Sequence, residues 1–210
     1  MEYRFAPAIG IKHLTFLYDP LVTIASVGAS LQKMTLSHAR ITNGQSIIDI
    51  GCGTGTFAIL AKKLFPDSPV LGIDPDESIL AIARKKSEKL GVPIVFLAEG
   101  AEKLSIKNHS IDFVFSTLAF HHLPLTIKRQ ALKEVYRILS QHGKFFLTDI
   151  GKPKNLFWKI ILDIESIIEP REYLKDNLRD KLPGLLKDAG FRVNEWRKPY
   201  MGIRFYSGEK

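Results

Sequence analysis

From Ile47 onward, short runs of Val, Ile and Phe alternate with longer stretches whose apolar positions recur three and four apart. Alternation of this kind is the pattern of βαβ units and a mainly parallel sheet. The runs predict strands at 46–50, 70–73, 94–98, 111–116, 144–148, 192–197 and 203–206, with helices at 56–65, 77–90, 125–140 and 176–189. Pro66, Gly91, Gly143 and Gly190 each follow a predicted helix at a point where the chain must turn. Proline is excluded from helix interiors, and glycine is favoured at the left-handed position that ends a helix.

Two segments stand outside the alternation. Residues 1–43 read as an N-terminal helical cap and 151–175 as a helical insertion after the fifth strand, within a main domain spanning 44–210. In the insertion, Leu156, Phe157, Ile160, Ile161, Ile164, Ile167 and Ile168 make a helix apolar almost all round. Such a helix needs cover on more than one side. It can roof a pocket, bury against the N-terminal segment, or join two subunits as a homodimer.

The densest chemistry follows the first strand, in Asp49-Ile-Gly-Cys-Gly-Thr-Gly55. Glycines at 51, 53 and 55 let a turn be tight and let its backbone approach a ligand. A dinucleotide fingerprint would place its third glycine or alanine where Thr56 stands, and a phosphate-binding loop would follow its last glycine with Lys and then Ser or Thr. Neither pattern fits. Asp49 just before the first glycine suits a cationic ligand end better than a pyrophosphate. Asp74 ends the second strand at the neighbouring carboxyl edge, where a carboxylate can accept from ribose hydroxyls.

The runs Ile47-Ile-Asp-Ile-Gly-Cys-Gly-Thr-Gly55 and Gly72-Ile-Asp-Pro75 resemble the motifs of class I S-adenosylmethionine-dependent methyltransferases, in the subgroup that includes the ubiquinone and menaquinone biosynthesis enzymes. The match runs from about Tyr18 to Phe191. It implies a Rossmann-like α/β fold: a seven-stranded, mostly parallel sheet with helices on both faces and a C-terminal antiparallel strand. It also implies S-adenosyl-L-methionine as cofactor. By position, Asp49, Gly51, Cys52, Gly53 and Thr54 would hold its methionine part, Asp74 its ribose, and Pro75 would flank the adenine.

Further along, Glu99-Gly-Ala-Glu-Lys-Leu104 resembles the family's adenine-contacting segment, with Gly100 where an acid commonly stands. The backbone of Ala101 can still face the ring, and a carboxylate would have to come from Glu99 or Glu102. Ser116-Thr-Leu-Ala-Phe-His-His-Leu123 resembles the segment beneath the methionine chain, with Ser116 beside the cofactor. Tyr18 resembles an aromatic residue near the start of the quinone-type enzymes that lies by the cofactor; packing the N-terminal helix to the body is the alternative.

His121 is the candidate catalytic residue, since a neutral imidazole near the methyl group can take a proton from an acceptor. The alternative is a histidine that packs or bonds to the loop backbone. Displacement at a sulfonium also gains much of its rate from alignment alone. Cys52, inside a tight turn, reads as a small residue that fits rather than a nucleophile. The other histidines stand among no metal-ligand spacing.

Composition limits the alternatives. A hydrophobic share of 45% in 210 residues supports one ordinary domain. The formal charge of +8 admits a polyanionic partner, but the cations are dispersed and lack interleaved aromatics, so nucleic acid is not expected. One cysteine precludes an internal disulfide, and no signal-peptide pattern or membrane span is evident, so the expectation is cytoplasmic.

The expected activity is methyl transfer by direct displacement to a small, apolar or aromatic acceptor held between residues 10–43 and 151–175. Phe16, Leu156, Phe157, Trp158, Ile160 and Ile161 would form an apolar roof. The rival readings are a methyltransferase-like cofactor-binding protein without catalysis, hinted at by Gly100, and a nucleic-acid methyltransferase. Against the latter, Ser116-Thr-Leu-Ala stands where many base-amino methylases carry Asp or Asn, two prolines and an aromatic residue.

Overall fold

The computed structural model describes residues 28–152, 171–200 and 202–210. Tyr18, Phe16 and the apolar run at 156–168 lie outside these. Among the described residues, seven strands form one sheet: β1 (Ile47–Ile50), β2 (Val70–Ile73), β3 (Val95–Leu97), β4 (Ile111–Thr117), β5 (Leu139–Ile150), β6 (Arg192–Tyr200) and β7 (Ile203–Glu209). Their order is β3-β2-β1-β4-β5-β7-β6. The first five are parallel, and β7 runs antiparallel between β5 and β6. This is the expected Rossmann-like arrangement.

Helices cover both faces because the strands are apolar on both. β1 is buried at all four positions. On one face, α1 (Gly28–Ala39), α2 (Thr56–Leu64) and α3 (Glu77–Lys89) bring Leu36, Phe57, Ala61 and Leu80 onto Phe113, Phe115 and Phe146. On the other, α4 (Leu125–Ile138) and α6 (Leu182–Asp188) bring Leu132, Val135 and Leu186 onto Ile48, Val114, Phe145 and Leu147. A fully buried Phe or Leu contributes roughly 2–3 kcal/mol over an exposed one, so these two layers fix the register of the sheet. No described helix is long and apolar enough to cross a membrane.

Two boundaries differ from expectation. The helix expected at 125–140 stops at Ile138, and β5 begins at once with Leu139 paired to Ile111. Gly143 therefore lies within a strand. A Cβ there would stand 2.8 Å from the Ile111 carbonyl oxygen, so glycine serves a close crossing of β4 and β5 rather than a helix end. The helix expected at 176–189 is two helices, α5 (Arg171–Leu178) and α6. Asp180, with φ 54°, reverses the chain between them, and Pro183 falls in the first turn of α6, where its missing N–H costs nothing.

The strand order changes direction between β1 and β4: the chain runs outward from β1 through β2 to β3, then returns to β4 and β5. Ligands of open α/β sheets bind at the carboxyl ends beside such a switch point. The residues that follow β1, β2, β4 and β5 there form the candidate site.

Candidate cofactor and transfer site

The loop after β1 is pinned to the end of β2, because the N–H groups of Gly51 and Cys52 both donate to the Ile73 carbonyl, at 2.8 and 3.0 Å. Gly51 has φ 71°, and a Cβ built on it would stand 2.3 Å from Cβ of Ala119. Glycine is thus needed twice over, and the segment after β4 presses directly on the loop. Gly53, at φ 51°, needs glycine for its backbone alone, since a Cβ there meets nothing within 4 Å. Cys52 points into the core near Gly72 and is buried. Burial, with the charges of Asp49 and Asp74, pushes its thiol well above the usual range, which disfavours the thiolate that a nucleophile needs.

Asp49 and Asp74 are both buried beside this loop. Desolvation first, and then the charge of Asp74, pushes the Asp49 carboxyl up to about 8, against the lowering effect of a hydrogen bond from the Ala58 backbone at the start of α2. Asp74 is also raised by burial, opposed by the N–H groups of Asp76 and Gly53. Its Oδ2 accepts from Gly53 and its Oδ1 from Asp76, each at 3.0 Å. Asp76 caps α3 by accepting from the N–H of Ser78 and Ile79, which fixes the turn that carries Asp74.

These residues fit a cofactor with a cationic amino-acid end and a ribose. A buried acid whose ionisation is opposed by desolvation and by a second acid is relieved by a cation. A carboxylate offers about four acceptor sites. With one N–H on each oxygen, Asp74 keeps capacity for two hydroxyl donors.

In the segment expected to face the adenine, the two acids left open by the sequence part company. Glu99 is spent on its own turn, accepting from the N–H and hydroxyl of Ser105. Glu102 folds back over Gly100, its carboxylate oxygens 2.5 Å from where a Cβ would stand. Gly100 therefore makes room for a carboxylate that arrives from two residues on. Ala101 beside it is buried, and Pro75 is exposed.

After β4 the chain passes through Leu118, at φ 54°, into a single 3-10 turn, Phe120–His122. A left-handed backbone at a branched residue is uncommon and is held here by the packing of Ala119 on Gly51. The turn buries His121, whose Nδ1 lies 2.6 Å from Oδ1 of Asp149 at the end of β5. The His121 backbone N–H donates to Oδ2 of the same carboxylate at 3.1 Å. The rings of His121 and His122 are tilted against each other with centroids 3.8 Å apart, and the charge of His122 acts on Asp74. Ser116 is wholly buried, and its hydroxyl has no partner among the described residues; the same holds for the hydroxyls of Thr117 and Thr148.

Asp149 was not foreseen. The available signal was a lone acid in the strand run Lys144-Phe-Phe-Leu-Thr-Asp-Ile150, ending beside the strand that leads to the paired histidines. Lys128 on α4 is a second surprise: it is wholly buried, with Nζ donating to the Tyr173 carbonyl at 2.6 Å and to Oδ1 of Asn177 at 2.9 Å. Asn177 in turn donates to the Ile150 carbonyl at 3.0 Å, which ties α5 to the end of β5.

A family profile described as "Methyltransferase domain" matches residues 47–143. A demethylmenaquinone methyltransferase of Listeria welshimeri is 25% identical over 196 residues, covering 83% of this chain and 82% of its own length. One of Thermus thermophilus is 32% identical over 138 residues, covering 65% of this chain, which spans 62% of that relative. Among solved structures, a SAM-dependent methyltransferase from Aquifex aeolicus superposes with a TM-score of 0.66 at 22% identity, covering 84% of this chain and 88% of that one. That likeness speaks for the fold.

Proposed function

We propose that this chain, a class I S-adenosylmethionine-dependent methyltransferase resembling the quinone-biosynthesis subgroup, methylates a small apolar or aromatic acceptor by direct displacement. The observation that carries the reading is the buried Asp49 carboxyl beside the glycine loop, raised to about 8 by burial and by a neighbouring acid. A site so built binds a cation more readily than a phosphate.

In this reading Asp49 balances the ammonium of the methionine end, while the backbone of Gly51, Cys52, Gly53 and Thr54 lines it. Asp74 accepts from the ribose hydroxyls. Pro75 and the Ala101 backbone flank the adenine, and Glu102 accepts from its amino group. When bound, S-adenosylmethionine supplies a methyl group on a positively charged sulfur. The remaining work falls to the protein: hold the acceptor in line with the carbon–sulfur bond, keep water away and accept a proton. Alignment supplies much of the acceleration. In the same reading the buried Ser116 would lie beneath the methionine chain, and His121 is the group suited to receive the proton.

For the acceptor, the names of the relatives point to a demethylated quinone, and a quinol hydroxyl is a proton donor of the kind that His121 could serve. The test is transfer from methyl-labelled cofactor to three probes: a short-chain prenyl naphthohydroquinone, a catechol and a short RNA. Label in either aromatic probe is expected. Label in RNA alone, or tight cofactor binding with no transfer, overturns the reading.

A further inference from the structure

We infer that Asp149 is a positioning residue for the transfer, holding His121 as the tautomer that carries its proton on Nδ1 and presents Nε2 to the acceptor. The inference rests on the methyltransferase reading above. Its basis is a clamp at two points of one residue: Oδ1 takes the ring at 2.6 Å and Oδ2 takes the backbone N–H at 3.1 Å. The N–H of Ile150 donates to Oδ1 as well, at 2.7 Å. An ionised carboxylate only accepts, so the ring nitrogen that faces it is the one bearing hydrogen, and Nε2 keeps its lone pair.

The location gives the clamp its use. Ala119, just ahead of the turn, touches the glycine loop, and His122, its ring tilted against that of His121, acts on the acid that serves the ribose. Among the described residues, the charged and titratable groups around the pair include His122 on the same turn and Lys128 from α4, with Asp176 on α5 and Lys181 at the start of α6 acting on Lys128. Lys128 feels the charge of Asp149 and spends its own hydrogen bonds on α5. It balances the carboxylate without competing for the bond to His121. In the transfer, the acceptor atom bonds to the methyl carbon as the carbon–sulfur bond breaks. That bond's electron pair stays on sulfur, and the acceptor's proton passes to Nε2.

The test compares wild type, Asp149→Asn, Asp149→Glu, His121→Gln and the Asp149→Asn/His121→Gln double variant. Two readouts are used: nitrogen NMR of the His121 ring without cofactor, and transfer to the prenyl naphthohydroquinone as a function of pH. Wild type should show the Nδ1-protonated tautomer, and Asp149→Asn should lose it. The kcat of Asp149→Asn should fall on the order of a hundredfold, with KM for cofactor within about twofold and partial recovery in Asp149→Glu. In a His121→Gln background, Asp149→Asn should cost almost nothing further. An unchanged tautomer, or an additive double variant, overturns the inference while leaving the methyltransferase reading intact. If wild type transfers to no probe, that reading fails, and the NMR comparison alone decides whether Asp149 sets the tautomer. Should Asp149→Asn not fold, Asp149→Ser with the same two readouts decides it: an unmoved ring signal and unmoved rate count against the role.

Discussion

The charge of Asp74 acts on Asp49 across the glycine loop, and together with burial it drives the Asp49 carboxyl up to about 8. The sign of the resulting pH dependence is definite. Between the ordinary carboxylate range and about 8, the folded protein holds a proton on Asp49 that the unfolded chain does not. Cofactor-free stability therefore falls as pH rises through that window. A cationic ligand favours the carboxylate, so its affinity rises over the same range and binding below about pH 8 releases a proton. Calorimetry in buffers of different ionisation enthalpy measures this release. Asp49→Asn should abolish it, weaken binding by about tenfold or more, and leave the cofactor-free protein no less stable.

Asp74→Ala should weaken cofactor binding by about 2–3 kcal/mol, the scale of hydrogen bonds to a charged group. Asp74→Asn keeps the shape and should lose less. Unchanged affinity in the alanine variant would remove Asp74 from the site.

The glycines separate steric from conformational demand. Gly51→Ala meets both a positive φ and the Ala119 Cβ at 2.3 Å, and should destabilise by about 3 kcal/mol or prevent folding. Gly53→Ala meets only the positive φ and should cost about 1 kcal/mol. Urea unfolding of the pair checks the order; equal losses would contradict the placement of Ala119.

Lys128→Ala strips the carbonyl of Tyr173 and the buried side chain of Asn177 of their donor. A loss of about 2 kcal/mol or more is expected, with α5 released first, as read by amide hydrogen exchange across 171–178. Exchange there no faster than in α6 would show that α5 is anchored by something else.

Most of the sheet was legible because short apolar runs separated by helical period leave few alternatives, β1 being buried at all four positions. Glycine spacing with an acid before it and another after β2 likewise marked the loop after β1 as the candidate cofactor site. Its unread parts are those that depend on contacts distant in sequence. Gly143 looked like a helix end because glycine usually marks one, whereas its role is set by the Ile111 carbonyl across the sheet. Gly100 looked like a missing acid, and only the fold shows the Glu102 carboxylate lying over it. Asp149 meets His121 through the parallel pairing of β4 and β5, a relationship that no local spacing encodes. Lys128 has a helical position like any surface lysine, and its burial follows from α5 closing over it.

The most direct test of the central claim is single-turnover transfer from methyl-labelled S-adenosylmethionine to the short-chain prenyl naphthohydroquinone, with cofactor affinity measured in parallel. The result expected is labelled methylnaphthohydroquinone from the wild-type protein, lost in Asp49→Asn through binding and in His121→Gln through rate. Tight cofactor binding with no label on this or any small aromatic acceptor would contradict it.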